Sequence, residues 1–352
     1  MGATCKENCS KCCNYICNRN TTLNNAQELF NNDFELKLPE LGQIIEENQF
    51  DGKIPEQVRK YISEKKYKKQ DGIEINEENI FEKGPIKLKN NDIYKGNWNE
   101  KIDKEGYGQY YMETEQKFFE GTWVNNILIH GRIFYQNGDI YEGYIRNFNS
   151  HGKGIITLKS GDKYRGDFNE GKREGNGKYI YPDKTTYEGQ FKNNKFHGHG
   201  VMKWITEETY EGEFSEGYFN NQGKLIGKNG EQYEGNFKNN YYDGEGKYTF
   251  IDGSTYEGSY ALDLRNGKGI FIKKDNEFSY DGNWVDDYAN GEGTFVKGDV
   301  TIEGTWKNGL YENFPVNNGG ENNQINDNIL NFRLKIPIIN LIPRRLPHMK
   351  KN

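Results

Sequence analysis

The sequence repeats one short pattern ten times, with a period near 23 residues. The pattern is an aromatic residue, any residue, glycine, any residue and a second large apolar residue, as in Tyr187-Glu-Gly-Gln-Phe191. Successive copies start 22 to 25 residues apart. A chain with this period folds as an array in which each repeat packs against its neighbours. The copies start at Tyr94, Phe119, Tyr141, Tyr164, Tyr187, Tyr210, Tyr233, Tyr256, Tyr280 and Ile302.

Each copy alternates as a β-strand does, because side chains two residues apart share one face of a strand. Tyr187, Gly189 and Phe191 therefore lie on one face of the predicted strand, whereas Glu188 and Gln190 lie on the other. The pattern thus predicts a sheet with one aromatic face and one mostly polar face.

Most copies continue into a second half, Gly-x-Gly followed by alternating apolar residues, as in Gly198-His-Gly200. Short segments rich in Asn, Asp, Gly and Ser separate the two halves, so each repeat is predicted to be a β-hairpin. At Gly131 and Gly223 the residue two positions later is Ile133 or Leu225. We expect these two hairpins to be locally distorted.

The glycines and the rings of the repeat are complementary. A glycine leaves a slot on the sheet surface, and a ring from an adjoining strand fills it. The 25 Tyr, 20 Phe and 5 Trp residues supply apolar area despite a mean hydropathy of -1.03. The predicted fold is an all-β repeat array, an elongated single-layer antiparallel sheet of tandem β-hairpins, with a short helical N-terminal segment. The repeat-defining glycines are Gly96, Gly121, Gly143, Gly166, Gly189, Gly212, Gly235, Gly258, Gly282 and Gly304.

This pattern resembles the MORN repeat (membrane occupation and recognition nexus), in which Tyr-x-Gly-x-Trp/Phe is followed by a turn, Gly-x-Gly and a strand. The resemblance covers about residues 84 to 312. It implies a scaffold with no intrinsic catalysis, in a family that organises membranes, the cell cortex and ciliary assemblies. We expect the aromatic face to bind protein partners, unless packing between hairpins consumes its rings. The candidate residues of this face are Trp98, Trp123, Phe191, Phe214, Phe237 and Trp284.

The glycine motifs and histidines do not predict an enzyme. Gly-x-Gly cradles phosphate at a strand-to-helix turn, whereas here a strand follows it. His130, His151 and His197 precede a glycine predicted to open a second strand, where other copies have acidic or amide residues, so they are interpreted as polar turn positions. No catalytic residue, metal or cofactor is predicted. The net charge of -6 gives no overall attraction to nucleic acid.

The N-terminus has the features of a lipid anchor. Gly2 is placed for N-myristoylation, although Lys6 stands where Ser or Thr is preferred. One myristoyl chain binds membranes only marginally, and a second acyl chain makes anchoring stable. A zinc or redox cluster through Cys9-x2-Cys12 and a disordered tail with unmodified thiols are the alternatives. The five cysteines of the chain all lie here, at Cys5, Cys9, Cys12, Cys13 and Cys17.

Composition divides the chain into five segments. Val58, Tyr61 and Ile62 share one face of a predicted helix that follows Pro55, and this region is expected to cap the first strand. Prolines interrupt the C-terminal tail, so it is expected to fold back on the sheet or to dock on a partner in extended form. The segments are a Cys-rich lipid anchor at 1–20, a partly helical cap at 21–83, the array at 84–312, an Asn/Gly-rich linker at 313–328 and a basic, apolar tail at 329–352.

Together these features predict a non-enzymatic scaffold that binds proteins at a cytoplasmic membrane surface or at a cortical or ciliary structure. The chain is also a candidate for homo-oligomerisation. One alternative is recognition of phosphoinositide or other acidic lipid through basic turns such as Lys172 and Arg173, which the recurring glutamates disfavour. Another is a ciliary axonemal component without a lipid anchor.

Overall fold

The computed structural model describes residues 27–29, 31–75, 77 and 79–312. The whole predicted array lies within this part of the chain. The predicted lipid anchor at 1–20, the linker at 313–328 and the tail at 329–352 lie outside it. The chain forms two compact units, Met1–Gly171 and Lys172–Asn352.

The first unit begins with helices and continues as strands. Residues 27–29 are helical, and helix α1 covers residues 31–41. The other helices are α2 (Glu47–Asp51) and α3 (Glu56–Glu64). The strands are β1 (Gly42–Ile44), β2 (Ile80–Leu88), β3 (Ile93–Asn99), β4 (Lys104–Met112), β5 (Lys117–Val124), β6 (Ile127–Phe134), β7 (Ile140–Arg146), β8 (Asn149–Thr157) and β9 (Lys163–Asn169).

The second unit consists of strands in its described part, apart from one 3-10 turn at Lys274–Asn276. Most of its strands have seven or nine residues, because each repeat contributes one strand of each kind. The strands are β10 (Lys172–Ile180), β11 (Thr186–Lys192), β12 (Lys195–Lys203), β13 (Thr209–Ser215), β14 (Tyr218–Ile226), β15 (Gln232–Lys238), β16 (Tyr241–Thr249), β17 (Thr255–Ala261), β18 (Leu264–Ile272), β19 (Ser279–Val285), β20 (Tyr288–Lys297), β21 (Val300–Lys307) and β22 (Leu310–Tyr311).

Within each unit every repeat strand pairs antiparallel with the next strand of the chain, and the predicted fold class is confirmed. The register aligns the repeat glycines across the strands, as in Gly189↔Gly200 and Gly200↔Gly212. All ten repeat-defining glycines lie in such rows. One row runs through Gly96, Gly108, Gly121, Gly131, Gly143, Gly154 and Gly166, and the other through Gly177, Gly189, Gly200, Gly212, Gly223, Gly235, Gly246, Gly258, Gly269, Gly282, Gly293 and Gly304.

Two-residue turns close the hairpins and fix this register. Asn193 and Asn194 join β11 to β12 with φ values of 49° and 69°. Positive φ at both central residues is the type I′ geometry, whose twist matches that of the flanking strands. Asparagine tolerates this left-handed conformation because its short polar side chain bonds locally. Asn239 and Asn240 form the same turn, with φ values of 52° and 74°.

The register corrects the interpretation of the two irregular repeats. Gly131 and Gly223 pair with repeat-defining glycines, so each of them is the second glycine of its Gly-x-Gly, and the first is the one replaced. Asn221 stands at that first position in β14, adopts φ 55° and keeps the bulge seen in other repeats. Ile129 replaces the first glycine in β6, and the bulge of this strand has one residue fewer than the bulges of the other repeats. Only the distortion predicted at Gly131 is therefore present.

The predicted position of the histidines is also wrong. His197 lies in β12, which starts at Lys195, and His151 lies in β8, which starts at Asn149. The second strand therefore begins before the glycine and not at it, because the two-residue turn is tighter than expected. His130 is a buried strand residue of β6.

The N-terminal segment of the first unit covers both an edge and a face. At the edge, β1 pairs with β2 through Gly42↔Leu88 and Ile44↔Ile86. Helices α2 and α3 instead lie on the face of the sheet opposite the repeat tyrosines, which we call the opposite face, whereas Phe34 of α1 packs against Trp98 on the tyrosine side at a ring-centroid distance of 5.6 Å. Phe50, Ile54 and Val58 pack there in one apolar cluster with strand residues. The segment therefore covers more than the first strand, which starts at Ile80 and not at residue 84.

The apolar residues under the helices form one row across the strands of the first unit. Ile93, Tyr111, Phe118, Phe134 and Ile140 are successive cross-strand partners. In the second unit the same row is mostly polar. It runs through Thr186, Lys203, Thr209, Ile226, Gln232, Thr249, Thr255, Ile272, Ser279, Val296 and Thr301.

Candidate interaction surfaces

The face that carries the repeat tyrosines, which we call the ring face, is filled by its own side chains. Tyr187 is fully buried, and a Cβ added to Gly200 would lie 2.5 Å from its Cε2 atom. The ring therefore occupies the slot that the glycine leaves. The Tyr187 hydroxyl donates a 2.8 Å hydrogen bond to the Gln190 carbonyl oxygen. Tyr94, Tyr141, Tyr164, Tyr210, Tyr233, Tyr256 and Tyr280 donate to the carbonyl three residues later in the same way.

Rings from neighbouring repeats complete this face. Tyr187 stacks on Phe196 with centroids 3.9 Å apart, and it meets Phe191 and Phe214 edge-to-face at 5.2 and 4.9 Å. Each repeat therefore shields the tyrosine of the repeat before it. Burial raises the pKa of Tyr210, so its hydroxyl stays protonated and donates a hydrogen bond.

The six rings predicted to form the partner-binding face are core residues, so that prediction is wrong. Their exposed fraction is between 0% and 3%. These rings are buried by packing between consecutive hairpins, which was the alternative to an exposed aromatic face. The residues concerned are Trp98, Trp123, Phe191, Phe214, Phe237 and Trp284.

A cation replaces the stacked ring in some repeats. Arg265 occupies, in the repeat of Tyr256, the position that Phe196 occupies in the repeat of Tyr187. It is fully buried, and its guanidinium carbon lies 5.0 Å from the centroid of the Trp284 ring. Its Nε donates to Asp287 Oδ1 at 2.8 Å. Burial and these partners make Arg265 a structural residue, since it is not accessible to a ligand.

A polar cluster holds the end of the helical segment on the opposite face of the first unit. The Tyr67 hydroxyl lies 3.0 Å from both Thr122 Oγ1 and His130 Nδ1. Arg132 donates to Glu120 Oε1 at 2.8 Å and also to the Lys65 carbonyl oxygen. Burial lowers the pKa of His130, which favours the neutral imidazole. His130 therefore helps to attach the helical segment to the sheet, a role that its position in the repeat did not predict.

Beside this cluster, α3 and the strands enclose a cavity of about 370 Å³. Its wall includes Val58, Tyr61, Phe118 and Phe134, with Lys159 among its polar lining. The cavity is continuous with the apolar contact between the helix and the sheet.

An exposed apolar row lies at the hairpin tips of the second unit. It consists of the first residue after the two-residue turn in five consecutive repeats, and its members are 37% to 48% exposed. Adjacent tips are joined, because Asn240 accepts the Phe219 N–H at 2.8 Å and donates its own N–H to the Phe219 carbonyl at 3.1 Å. We call this surface the tip row. Its residues are Tyr218, Tyr241, Leu264, Tyr288 and Leu310.

The sequence does indicate the tip row, through a change of residue type at the first position after the turn, which is not part of the repeat pattern itself. The three repeats immediately before the row have Asn149, Lys172 and Lys195 at the same position, and the repeat before those has Ile127. From Tyr218 onward the position becomes aromatic or aliphatic in every repeat. Comparing this one position between repeats would have located the surface without a structure.

The described residues contain neither a membrane-spanning helix nor a metal-binding cluster. None of their helices has the length and apolar character needed to cross a bilayer. Among the same residues, no group of three or more His, Cys, Asp or Glu is arranged to hold a metal ion. The predicted lipidation residues Gly2, Cys5, Cys9, Cys12, Cys13 and Cys17 lie outside the described part of the chain.

Solved structures give only distant likenesses. The TCP10 domain of Danio rerio CPAP is 11% identical, with 53% of this chain and 87% of that chain covered and a TM-score of 0.31. The TCP domain of Drosophila melanogaster SAS-4 (dCPAP), in complex with a proline-rich motif of Ana2 (dSTIL), is 12% identical, with 44% and 85% covered and a TM-score of 0.29. Virginiamycin B lyase from Staphylococcus aureus is 11% identical, with 62% and 82% covered and a TM-score of 0.14. These likenesses carry no functional argument.

No curated protein matches the sequence. The MORN repeat family model matches seven segments, all within the C-terminal part of the array. The matched residues are 164–186, 187–207, 210–232, 233–255, 256–277, 280–299 and 303–313. These seven matches support a MORN repeat protein.

Proposed function

We propose that this protein is a non-enzymatic scaffold that binds protein partners through the tip row of its second unit. The observation that carries the proposal is the tip row itself, with exposed Tyr or Leu side chains in five consecutive hairpins. Contiguous exposed apolar side chains are typical of protein interaction sites. The ring face cannot serve this purpose, because its rings are buried.

The spacing of the tip row favours a helical partner. Adjacent members are separated by two strands, or about 10 Å at about 4.8 Å per strand. Seven residues of an α-helix rise about 10.5 Å. A helix with an apolar residue at every seventh position therefore fits successive members of the row, from Tyr218 onward.

We further propose that N-terminal acylation holds the scaffold at a cytoplasmic membrane surface. The support is the sequence, with Gly2 followed by five closely spaced cysteines. Lipid recognition by the array is the weaker alternative. Arg173 is buried within β10 and donates to Asn194, and so does not form the exposed basic turn that this alternative needs. A ciliary component without a lipid anchor is the third candidate.

Photocrosslinking tests partner binding directly. A benzophenone amino acid at Tyr241 of the full chain, expressed in its native cell, is expected to capture the same protein as one at Leu264. The matched control is Ile251, an exposed apolar residue in a loop outside the row. Capture of the same proteins from all three sites would contradict a specific surface.

A purified partner then allows a quantitative test. Tyr241→Ser and Leu264→Ser are each expected to weaken binding about tenfold, because anchor residues of interfaces typically contribute more than 1 kcal/mol. Ile251→Ser is expected to leave the affinity unchanged.

Membrane attachment is tested separately. Gly2→Ala and a variant without the five cysteines are expected to release the protein from membranes in cells. Flotation of unacylated protein with phosphoinositide vesicles would instead support lipid recognition by the array. Normal localisation of Gly2→Ala would support the ciliary component.

A further inference from the structure

The last long strand of the array has backbone groups that no described strand covers. Along its length β21 pairs with β20, and among the described residues it meets only β22 on its other side, through Trp306↔Tyr311 and Lys307↔Leu310. The interior strands in the corresponding position are eight to ten residues long, as β16 (Tyr241–Thr249) is with nine, whereas β22 has two. Among the described residues, the edge of β21 from Val300 to Gly304 is therefore open.

The hydrogen bonds show which groups face this open side. The Thr305 carbonyl accepts the Glu312 N–H at 2.9 Å, and the Glu303 carbonyl accepts the Tyr311 hydroxyl at 3.0 Å. In an antiparallel strand the N–H and C=O of one residue point to the same side, and alternate residues point to the same partner. The N–H of Glu303 and both backbone groups of Thr301 therefore point away from β20.

An open edge of this kind is a template for another strand, and proteins usually cover it. This chain covers the other end of its array in that way. There β1 pairs with β2 through Gly42↔Leu88, Gln43↔Lys87 and Ile44↔Ile86.

One segment outside the described residues has the pattern that the edge requires. Residues 330–336 read Leu-Asn-Phe-Arg-Leu-Lys-Ile, so Phe332, Leu334 and Ile336 would share one face of a strand and Arg333 and Lys335 the other. Pro337 follows at once and cannot donate to a ladder, so it would end such a strand. Residues 313–328 reach roughly 50 Å when extended, enough to return to the edge.

The two faces of β21 match this pattern. Ile302 lies on the ring face and is half-buried, whereas Glu303 lies exposed on the opposite face. No Lys or Arg among the described residues forms a salt bridge with Glu303, Glu292 or Asp281, which lie on the same face of β21, β20 and β19. Cross-strand pairs of opposite charge stabilise a sheet.

We propose that residues 330–336 bind β21 as the closing strand of the array. Phe332, Leu334 and Ile336 continue the ring face beside Ile302, and Arg333 and Lys335 lie beside Glu303. Pairing between the β21 edges of two copies is the competing arrangement. It brings Glu303 close to its own copy in the other chain, and like charges across strands are destabilising.

Hydrogen exchange of the full chain tests the proposal at the Thr301 and Glu303 amides. In an antiparallel closing strand the N–H groups of Arg333 and Lys335 face β21, because their side chains lie on the same face as Glu303. The double variant Arg333→Pro/Lys335→Pro removes these two donors and is expected to accelerate exchange at both amides about tenfold. Asn323→Pro, in the linker, is the matched control and is expected to leave them unchanged. The amide of Glu257, in an interior strand, reports that the array itself remains folded.

Reversing the charges on β21 and on the closing strand gives an independent test. Glu303→Lys is expected to accelerate exchange at Thr301, and Arg333→Glu/Lys335→Glu in the same chain is expected to restore the slow rate. Exchange that is equally fast in wild type and in the proline variant would overturn the proposal. The proposal would also be overturned by slow exchange whose rate depends on protein concentration and is the same in the tail variants, because a second copy of the chain would then cover the edge.

Discussion

At the scale of single residues, the contact between a tyrosine and two glycines stabilises the sheet without a second layer. Tyr187 lies against Gly189 and Gly200 and is fully buried, although no second sheet of described residues packs on this repeat. The i to i+3 hydrogen bond satisfies its hydroxyl, so burial leaves no unpaired polar group. Glycine is required here by space, since Gly200 does not have a positive φ.

Gly200→Ala tests this contact. Its Cβ would lie 2.5 Å from Tyr187 Cε2, so the buried ring must shift. Overpacking of this kind typically costs 1–3 kcal/mol, and we expect a loss of about 2 kcal/mol in the free energy of unfolding, measured by urea titration. Gly230→Asn is the control, because Gly230 has φ 91° with no atom near its Cβ position. Equal effects of the two changes would show that the ring does not need the slot.

Asp287→Ala tests the buried ion pair that replaces a stacked ring. The change leaves Arg265 buried among Trp284 and Tyr256 without its carboxylate. Breaking a buried pair from one side costs about 3 kcal/mol or more, and thermal unfolding is expected to show a loss of that size. Asp286→Ala carries the same left-handed backbone penalty in an exposed position, so the difference between the two variants reports the ion pair together with the hydrogen bond from the Arg265 N–H to the same carboxylate. A negligible difference would contradict a structural role for Arg265.

At the scale of the hairpin, each two-residue turn of the second unit is bonded to the tip of the hairpin before it. Asn194 Oδ1 accepts the Arg173 N–H, and Asn240 Oδ1 accepts the Phe219 N–H, both at 2.8 Å. These bonds join hairpins that are already paired along their strands. They also fix the tips that carry the tip row.

Gly217→Asn is expected to stabilise the protein. Gly217 occupies the turn position of Asn194 and Asn240, has φ 89° and has open space at its Cβ. Its N–H already donates to the Phe196 carbonyl, so an Asn side chain can accept the Phe196 N–H as in the other repeats. One such hydrogen bond contributes about 1 kcal/mol. Calorimetry showing a lower melting temperature would mean that this tip differs from its neighbours.

Asp263 makes the same turn contact with a carboxylate, accepting the Tyr242 N–H at 2.7 Å. Burial raises the pKa of Asp263 to about 6, although the bond from Tyr242 opposes the shift. Because the folded-state pKa exceeds the unfolded value near 4, protonation stabilises the fold below that pH range, and this contribution is lost as the pH rises through about 6.

Asp263→Asn is therefore expected to stabilise the chain at pH 7.5, where the buried carboxylate is charged, and to have little effect at pH 4. Asparagine already occupies this position in other repeats, at Asn194 and Asn240. Urea unfolding of both proteins at several pH values measures the difference. Asp275→Asn, at an exposed position, serves as the control. A difference that does not change between pH 4 and pH 7.5 would show that Asp263 titrates normally.

At the scale of the whole chain, the parts predicted from sequence are those that repeat. Period and alternation identify the hairpins and the ring face, because both depend on neighbours that are close in sequence. Exposure of Trp98 or Phe191 could not be inferred in this way, since rings of adjoining repeats bury them. The footprint of the helices was missed because the row from Ile93 to Ile140 becomes visible only once the register of five strands is known.

Phe50→Ala tests whether the helical segment stabilises only the unit that it covers. Phe50 is fully buried and packs against Phe118 at a centroid distance of 6.2 Å. Removing a buried ring costs about 3–5 kcal/mol. In repeat proteins each repeat interacts with its nearest neighbours, so hydrogen exchange is expected to accelerate in the first unit, from β3 to β7.

The same experiment should show unchanged exchange in the strands from β13 to β22, which carry the tip row. Leu36→Ala is the control, because Leu36 is exposed on α1 and its loss should not alter exchange anywhere. If Phe50→Ala accelerated exchange equally in both units, the chain would unfold as one cooperative body. The helical segment would then be needed to keep the tip row folded, and loss of partner binding in an N-terminal variant could not be assigned to membrane release alone.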